Sequence, residues 1–202
     1  MVRLGRPGPE AIAANLSRRD IGFSYPEVGA SRDLSQSLRD RVSERYDVDQ
    51  RRFELGHGRE LYDRARDALL RWRHFDVPWV EFHGAVEPAS VGQVVATLTR
   101  VLGVWFLNPC RVVYVDALPE ADRVCFAYGT LASHQEAGEE RFVVSYDAET
   151  DAVWYEIAAF SRPRGWLPWL AYPLARRIQS HFAHATAEAL RSALAEGPRT
   201  AG

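Results

Sequence analysis

Lysine is absent: all 25 basic residues of the 202-residue chain are arginine. That excludes chemistry needing a primary amine on a side chain, such as a Schiff base with a carbonyl substrate or a P-loop lysine on a nucleotide phosphate. Sulfur is scarce as well, with 2 cysteines and 1 methionine. Cys110 and Cys125 each fall inside an apolar strand-like run, so two free buried thiols are expected, with a cross-strand disulfide or a catalytic thiol as the alternatives. No stretch approaches the roughly 18 consecutive apolar residues of a membrane-spanning helix. The opening residues also lack the apolar run of about seven or more that a secretory leader carries, so the expected compartment is the cytoplasm. A net charge of −2 leaves no excess of either sign to attract nucleic acid or an anionic membrane surface. No serine stands in a G-x-S-x-G setting, and Gly56-x-Gly58 lacks the third glycine and the βαβ frame of a dinucleotide site. Nothing in the chain points to a redox group, and no cofactor is expected.

What is present is an ordinary globular balance, 47% apolar and 26% charged, in a length that suits one domain with a real core. Residues 1–20, rich in Arg, Gly, Pro and Ala, read as an N-terminal arm whose order depends on docking. Residues 21–197 read as the domain and residues 198–202 as a tail. Leu34, Leu38 and Val42 step by four, which suits a short amphipathic helix over Asp33–Tyr46. Arg51–Leu55 reads as extended. After Gly56-His57-Gly58 breaks the chain, Leu61, Ala65, Ala68, Leu69 and Trp72 recur at three- and four-residue steps and predict a helix from about Arg59 to Arg73.

From there the period changes to alternation. Trp79–Phe82, Val91–Val101, Val104–Leu107, Arg111–Asp116, Val124–Leu131, Arg141–Tyr146 and Val153–Phe160 are short runs rich in Val, Phe, Tyr and Trp, and they read as strands. Leu118–Asp122 and Asp147–Asp151 read as hairpin turns between them. Leu170, Leu174, Ile178, Phe182, Ala185, Ala189 and Leu194 then form one apolar stripe, with Pro173 near the helix start and Gly197-Pro198 at its end. A helix of about twenty residues is roughly 30 Å long, enough to lie across a sheet. Helix, successive strands, then one long helix is the order of an α+β layer fold, with the helices on one face of a curved antiparallel sheet of six or seven strands. Such a sheet curls, and a helix laid in its concavity leaves a cavity. The order of elements is that of the helix-grip fold of START-like, Bet v 1-like proteins.

Five strings carry a more specific resemblance. They are Y-P-E-V-G-A at Tyr25–Ala30, L-G-H-G before a helix ending in L-L-R-W, N-P-C-R-V-V-Y at Asn108–Tyr114, Y-G-T-L-A-S-H-Q-E-A-G-E-E-R-F at Tyr128–Phe142, and A-F-S-R-P at Ala159–Pro163. In this order, over about Phe23 to Leu190, the chain resembles the family known as domain of unknown function 1990. That resemblance implies the START-like, Bet v 1-like helix-grip fold and names no reaction. Ser31–Phe53 is longer and more charged than the corresponding connection of the family.

Function therefore has to come from the residues. Alternation puts Phe142, Val144 and Tyr146 on one face of their strand and Arg141, Val143 and Ser145 on the other. In the next strand Val153, Tyr155, Ile157 and Ala159 oppose Trp154, Glu156, Ala158 and Phe160. Glu156 thus sits among large apolar neighbours. On the cavity side it would be a general acid or base with a raised pKa; otherwise it pairs with Arg141 or Arg162. His134 and Glu136 are two apart, as in a ligand pair on an extended segment, and Glu139 or Glu140 could add a third oxygen, but the spacing is only weakly specific and no metal is expected. They are candidates for ligand contact or proton transfer, while Glu139 and Glu140 are expected to hold Arg111 or Arg162 in bidentate salt bridges. Those two arginines could instead bind an anionic group of a ligand. Trp105, Trp154 and Tyr155 are candidates to line a ligand site, with Tyr128 and Tyr155 as hydroxyl donors.

Three functions follow from these readings. The first is binding of a small, mostly apolar, lipid-like or polyketide-like ligand between sheet and last helix. The second is cofactor-free cyclase, dehydratase or isomerase chemistry in the same cavity, carried by His134, Glu136, Glu156 and Tyr128. The third is a protein-interaction module docked through the polar hairpin. Oligomerisation is left open.

Overall fold

The computed structural model describes residues 2–17, 20–32, 44–85, 87–118, 120–164 and 172–196, without the side chains of residues 172–176. A two-residue strand β1 (Val2–Arg3) and helix α1 (Pro9–Ser17) precede β2 (Asp47–His57) and helix α2 (Arg59–Leu70). Six strands follow, β3 (Val80–His83), β4 (Val94–Val101), β5 (Val104–Asp116), β6 (Arg123–Thr130), β7 (Glu136–Asp147) and β8 (Ala152–Pro163), and then α3 (Tyr172–Glu196). The sheet runs β2-β8-β7-β6-β5-β4-β3, antiparallel throughout, with β1 paired to β5 off this path. At 25 residues, α3 is about 37 Å long and spans the sheet. The helix expected over Asp33–Tyr46 lies mainly outside the described residues, and Leu170 of the last apolar stripe, Gly197-Pro198 and the tail lie wholly outside them.

Strand β5 and the end of α2 differ from the sequence reading for identifiable reasons. Val104–Leu107 and Arg111–Asp116 are one strand, β5, despite Pro109 between them. The Pro109 carbonyl accepts from the Leu131 N–H at 3.1 Å, on the β6 side. A residue's N and C=O point the same way in an antiparallel ladder, so Pro109 lacks its N–H where β4 does not need one. Helix α2 stops at Leu70, short of the expected Arg73, because Trp72 adopts a left-handed conformation with φ 61. A single 3-10 turn over Arg73–Phe75 then buries His74 and Phe75 beside Trp72.

Both faces of the sheet are covered. On the inner face α2 and α3 enclose the main core, in which Tyr62, Leu69, Leu190 and Leu194 pack against Phe126, Phe142, Val144, Val153 and Tyr155. On the outer face Ile12 of α1 packs on Ala96, Leu98 and Leu107, and Tyr25 and Tyr46 pack on Phe160 and Ala137. Cys110 and Cys125 are buried free thiols, one in the inner core and one in an outer cluster. No helix among the described residues is long and apolar enough to cross a membrane.

His74 is an oddity of the inner core. It is fully buried among Trp72, Phe75, Phe126 and Phe142, and neither ring nitrogen has a hydrogen-bond partner among the described residues. Burial pushes its pKa down to about 3. The unfolded chain then binds a proton that the folded chain refuses, so stability is intact above about pH 6.5 and is lost as pH falls from there towards 3. His74→Phe removes that drain without leaving a buried polar group unmet. Urea titration should give equal or higher stability for the variant at pH 7, and a pH 7-to-5 loss smaller than wild type's by about 2 kcal/mol. Equal losses in both proteins would show that His74 is not buried uncharged.

Candidate functional site

A cavity of about 200 Å³ lies on the inner face between the sheet and α3. Ile157 of β8 and Ile178 and Phe182 of α3 give it apolar walls, with Trp79 at the approach to β3. Strands β6, β7 and β2 bring Tyr128, Glu136, Glu140, Asp49 and Arg51 to the same lining.

The pairing of β6 with β7 sets Tyr128 directly opposite Glu140. The Tyr128 hydroxyl donates to Glu140 Oε2 at 2.6 Å. Burial raises the Glu140 carboxyl to about 7; the tyrosine hydrogen bond opposes the rise, and the charges of Glu136 and Asp49 add to it. Burial also lifts the Tyr128 hydroxyl well above its ordinary value. Glu136 receives the Gln179 amide at 3.1 Å on Oε1 and 3.2 Å on Oε2, which ties β7 to α3. His134 lines the cavity from the β6–β7 turn, and its Nδ1 accepts the Glu136 backbone N–H at 2.9 Å. Burial lowers its pKa to about 3, so the ring is neutral, with the proton on Nε2.

Three of the candidate residues, Tyr128, His134 and Glu136, therefore share the cavity wall. Five others stand on the outer face, away from it. Glu156 is paired with Arg141 at 2.5 Å, so its carboxylate answers a buried guanidinium rather than a ligand. Trp154 lies under Arg52, and Arg162 over the Tyr46 ring. Arg111 stacks on Phe23, and Trp105 sits between Arg6 and Arg100. Tyr155 faces inward but is wholly buried, donating to Thr186 Oγ1 at 3.2 Å beneath α3.

Among the described residues, Glu139 and Glu140 make other contacts than the salt bridges expected with Arg111 or Arg162. Adjacent strand residues point to opposite faces, so the two glutamates separate. Glu139 turns outward and is 2% exposed. It accepts from the Tyr25 hydroxyl at 2.5 Å, the Gly29 N–H at 2.8 Å, the Ser31 N–H at 3.0 Å, and the Ser31 hydroxyl. Arg141 extends the same clamp, donating to the Ser31 carbonyl at 2.9 Å and the Arg32 carbonyl at 3.2 Å. Glu140 turns inward and is the site residue that sequence reasoning missed. Its signal was available: the Phe142, Val144, Tyr146 alternation, carried two residues back, puts Glu140 on the core face. Among the described residues, no three His, Cys, Asp or Glu side chains are grouped to hold a metal ion.

A curled antiparallel sheet gripping a long C-terminal helix is the helix-grip fold of Bet v 1-like proteins. Two solved structures share it: the ZhuI aromatase/cyclase from Streptomyces sp. R1128, at 15% identity with a TM-score of 0.57 over 78% of this chain and 98% of that one, and norcoclaurine synthase from Thalictrum flavum, at 12% identity with a TM-score of 0.51 over 77% and 90%. Within that class the chain belongs to the family described as Domain of unknown function (DUF1990), whose pattern matches residues 24–189. Relatives include a UPF0548 protein of Dictyostelium discoideum, 36% identical over 82% of each chain. A UPF0548 protein of Deinococcus radiodurans is 34% identical over 91% of this chain and 96% of its own.

Proposed function

We propose that this protein binds a small, largely apolar molecule in the cavity between the sheet and α3, with the Tyr128–Glu140 pair as its polar contact. The observation that carries this reading is the cavity itself, lined by Ile157, Ile178 and Phe182 together with a few polar groups, Tyr128 and Glu140 among them. Binding sites of this kind pair an apolar wall with a few placed polar groups. A volume near 200 Å³ is below the ~300–1,000 Å³ of drug-sized sites, which points to a compact ligand. Among proteins of this fold, norcoclaurine synthase has been crystallised with dopamine and hydroxybenzaldehyde, molecules on the scale this cavity suits.

Native mass spectrometry of protein purified from its own host tests the reading. The expected spectrum carries an added small-molecule mass that is lost in Ile178→Trp, which fills the cavity from α3. A bare polypeptide mass, together with no thermal shift from a panel of aromatic and short lipid-like compounds, would overturn it.

A further inference from the structure

The cavity contains more than a polar contact. Tyr128 and Glu140 are cross-strand partners held at 2.6 Å on the cavity wall, a carboxylate beside a hydroxyl donor. We propose that Glu140 is a general base, oriented by Tyr128, that shifts a proton within a bound carbonyl compound, so that the chain is a cofactor-free isomerase-type enzyme. This rests on the ligand-binding reading and adds a reaction to it.

In the step proposed, the Glu140 carboxylate takes a proton from carbon next to the carbonyl. The C–H electron pair becomes the C=C bond of an enolate as the C=O pair moves to oxygen. The compound is a β,γ-unsaturated carbonyl, so the enolate is a dienolate. Tyr128 turns its hydroxyl from Glu140 to the enolate oxygen, and Glu140 returns the same proton to the γ-carbon. The oxygen pair re-forms the C=O as the C=C moves into conjugation with it. The product is an isomer, so no oxidant, reductant or second substrate is needed. A base is most effective when its pKa lies near the working pH, and the Glu140 value of about 7 fits that requirement.

The surroundings assign the role to Glu140 rather than to its neighbours. On its own strand Glu136 is engaged by Gln179, and in the preceding turn His134 uses Nδ1 on the backbone. From β2 come Asp47, Asp49 and Arg51, the last two 3.6 Å apart. Cys110 of β5 interacts with Glu140 through space, as does Tyr155 of β8. From β4 come Thr97 and Thr99, and from α3 Ile178, Gln179, Phe182 and Ala183, none of which titrates.

The test uses 5-nitrobenzisoxazole, a compact probe of carboxylate bases in apolar sites. A base removes the C3 proton, the N–O bond breaks, a nitrile forms, and the released phenolate is read by absorbance. The expected rate for wild type rises with pH around a midpoint near 7. Glu140→Gln, which can still accept from Tyr128, should lower it by about 100-fold or more. Tyr128→Phe should keep a base but move the midpoint upward, because the tyrosine hydrogen bond holds the Glu140 value down. If Glu140→Gln does not fold, that midpoint shift carries the test. A rate indifferent to Glu140, or a midpoint near the ordinary ~4.3 of glutamate, overturns the proposal. Unreactive 5-nitroindazole separates the two readings by calorimetry. Its binding without Glu140-dependent turnover sinks the base and leaves the cavity reading standing, whereas absence of both binding and turnover overturns the two together.

Discussion

Glu139→Ala is expected to lower the unfolding free energy by about 3–5 kcal/mol, because it leaves the Tyr25 hydroxyl and the Gly29 and Ser31 backbone donors without their acceptor in a buried site. At ~2–4 °C per kcal/mol for a chain of this size, the melting temperature should fall by roughly 10 °C. The loss is expected to begin at the N-terminal segment, since Glu139 joins β7 to Tyr25, Gly29 and Ser31. Limited proteolysis should therefore cut near residues 25–32 in the variant before the sheet is attacked. Glu140→Gln should behave in the opposite way. Its folded pKa of about 7 lies above the ordinary 4.5 of the unfolded chain, so stability is lost as pH rises from 4.5 to 7, while the unfolded chain releases a proton that the folded chain retains. At pH 8 the glutamine variant should melt at or above wild type. A fall of less than about 1 kcal/mol for Glu139→Ala would mean the clamp is replaceable by water.

Gly138→Ala is the second large effect. A Cβ at Gly138 would lie 1.9 Å from the Phe160 carbonyl oxygen and 2.7 Å from Ser161 Cα. Both are backbone atoms of the paired strand, so no side-chain rotation relieves the clash, and β7 must separate from β8 where Glu139 and Glu140 begin. Glycine inside a strand marks such a close backbone approach. Overpacking of this kind costs about 3 kcal/mol, and the variant should lose ligand retention as well as stability. Gly22→Ala is the matching control, because nothing lies within 4 Å of its Cβ. It should stay within about 0.5 kcal/mol of wild type. A Gly138→Ala protein as stable as that control would contradict the packing of β7 on β8.

Much of the fold was legible because its signals are periodic. The steps of Leu61, Ala65 and Leu69 gave α2, and the alternation in β7 and β8 sorted their residues correctly into two faces. Alternation could not say which face was inner. In a sheet with one wet face the polar set identifies itself, but here the N-terminal segment covers the outer face, and Phe160 and Val143 are as buried there as Phe142 and Val144 are inside. Alternation consequently left Glu156 as either a cavity acid or the partner of Arg141 or Arg162, and the structure makes it the outer partner of Arg141. The covering segment itself, Arg-, Gly- and Pro-rich, has little periodicity to read. Its anchors are single long-range contacts, such as Tyr25 with Glu139 across 114 positions. Glu140 was obscured by its neighbour: two adjacent glutamates suggest a shared arginine, although a strand sends them to opposite faces.

The proposed role of Glu140, a proton carrier in the cavity poised near neutral pH, can be tested without knowing the ligand. Carbon-13 NMR of glutamate side-chain carboxyls, with Glu140 assigned through Glu140→Gln, follows its titration directly. The expected midpoint is near 7 and moves upward in Tyr128→Phe. A midpoint in the ordinary range near ~4.3, unchanged by Tyr128→Phe, would contradict it.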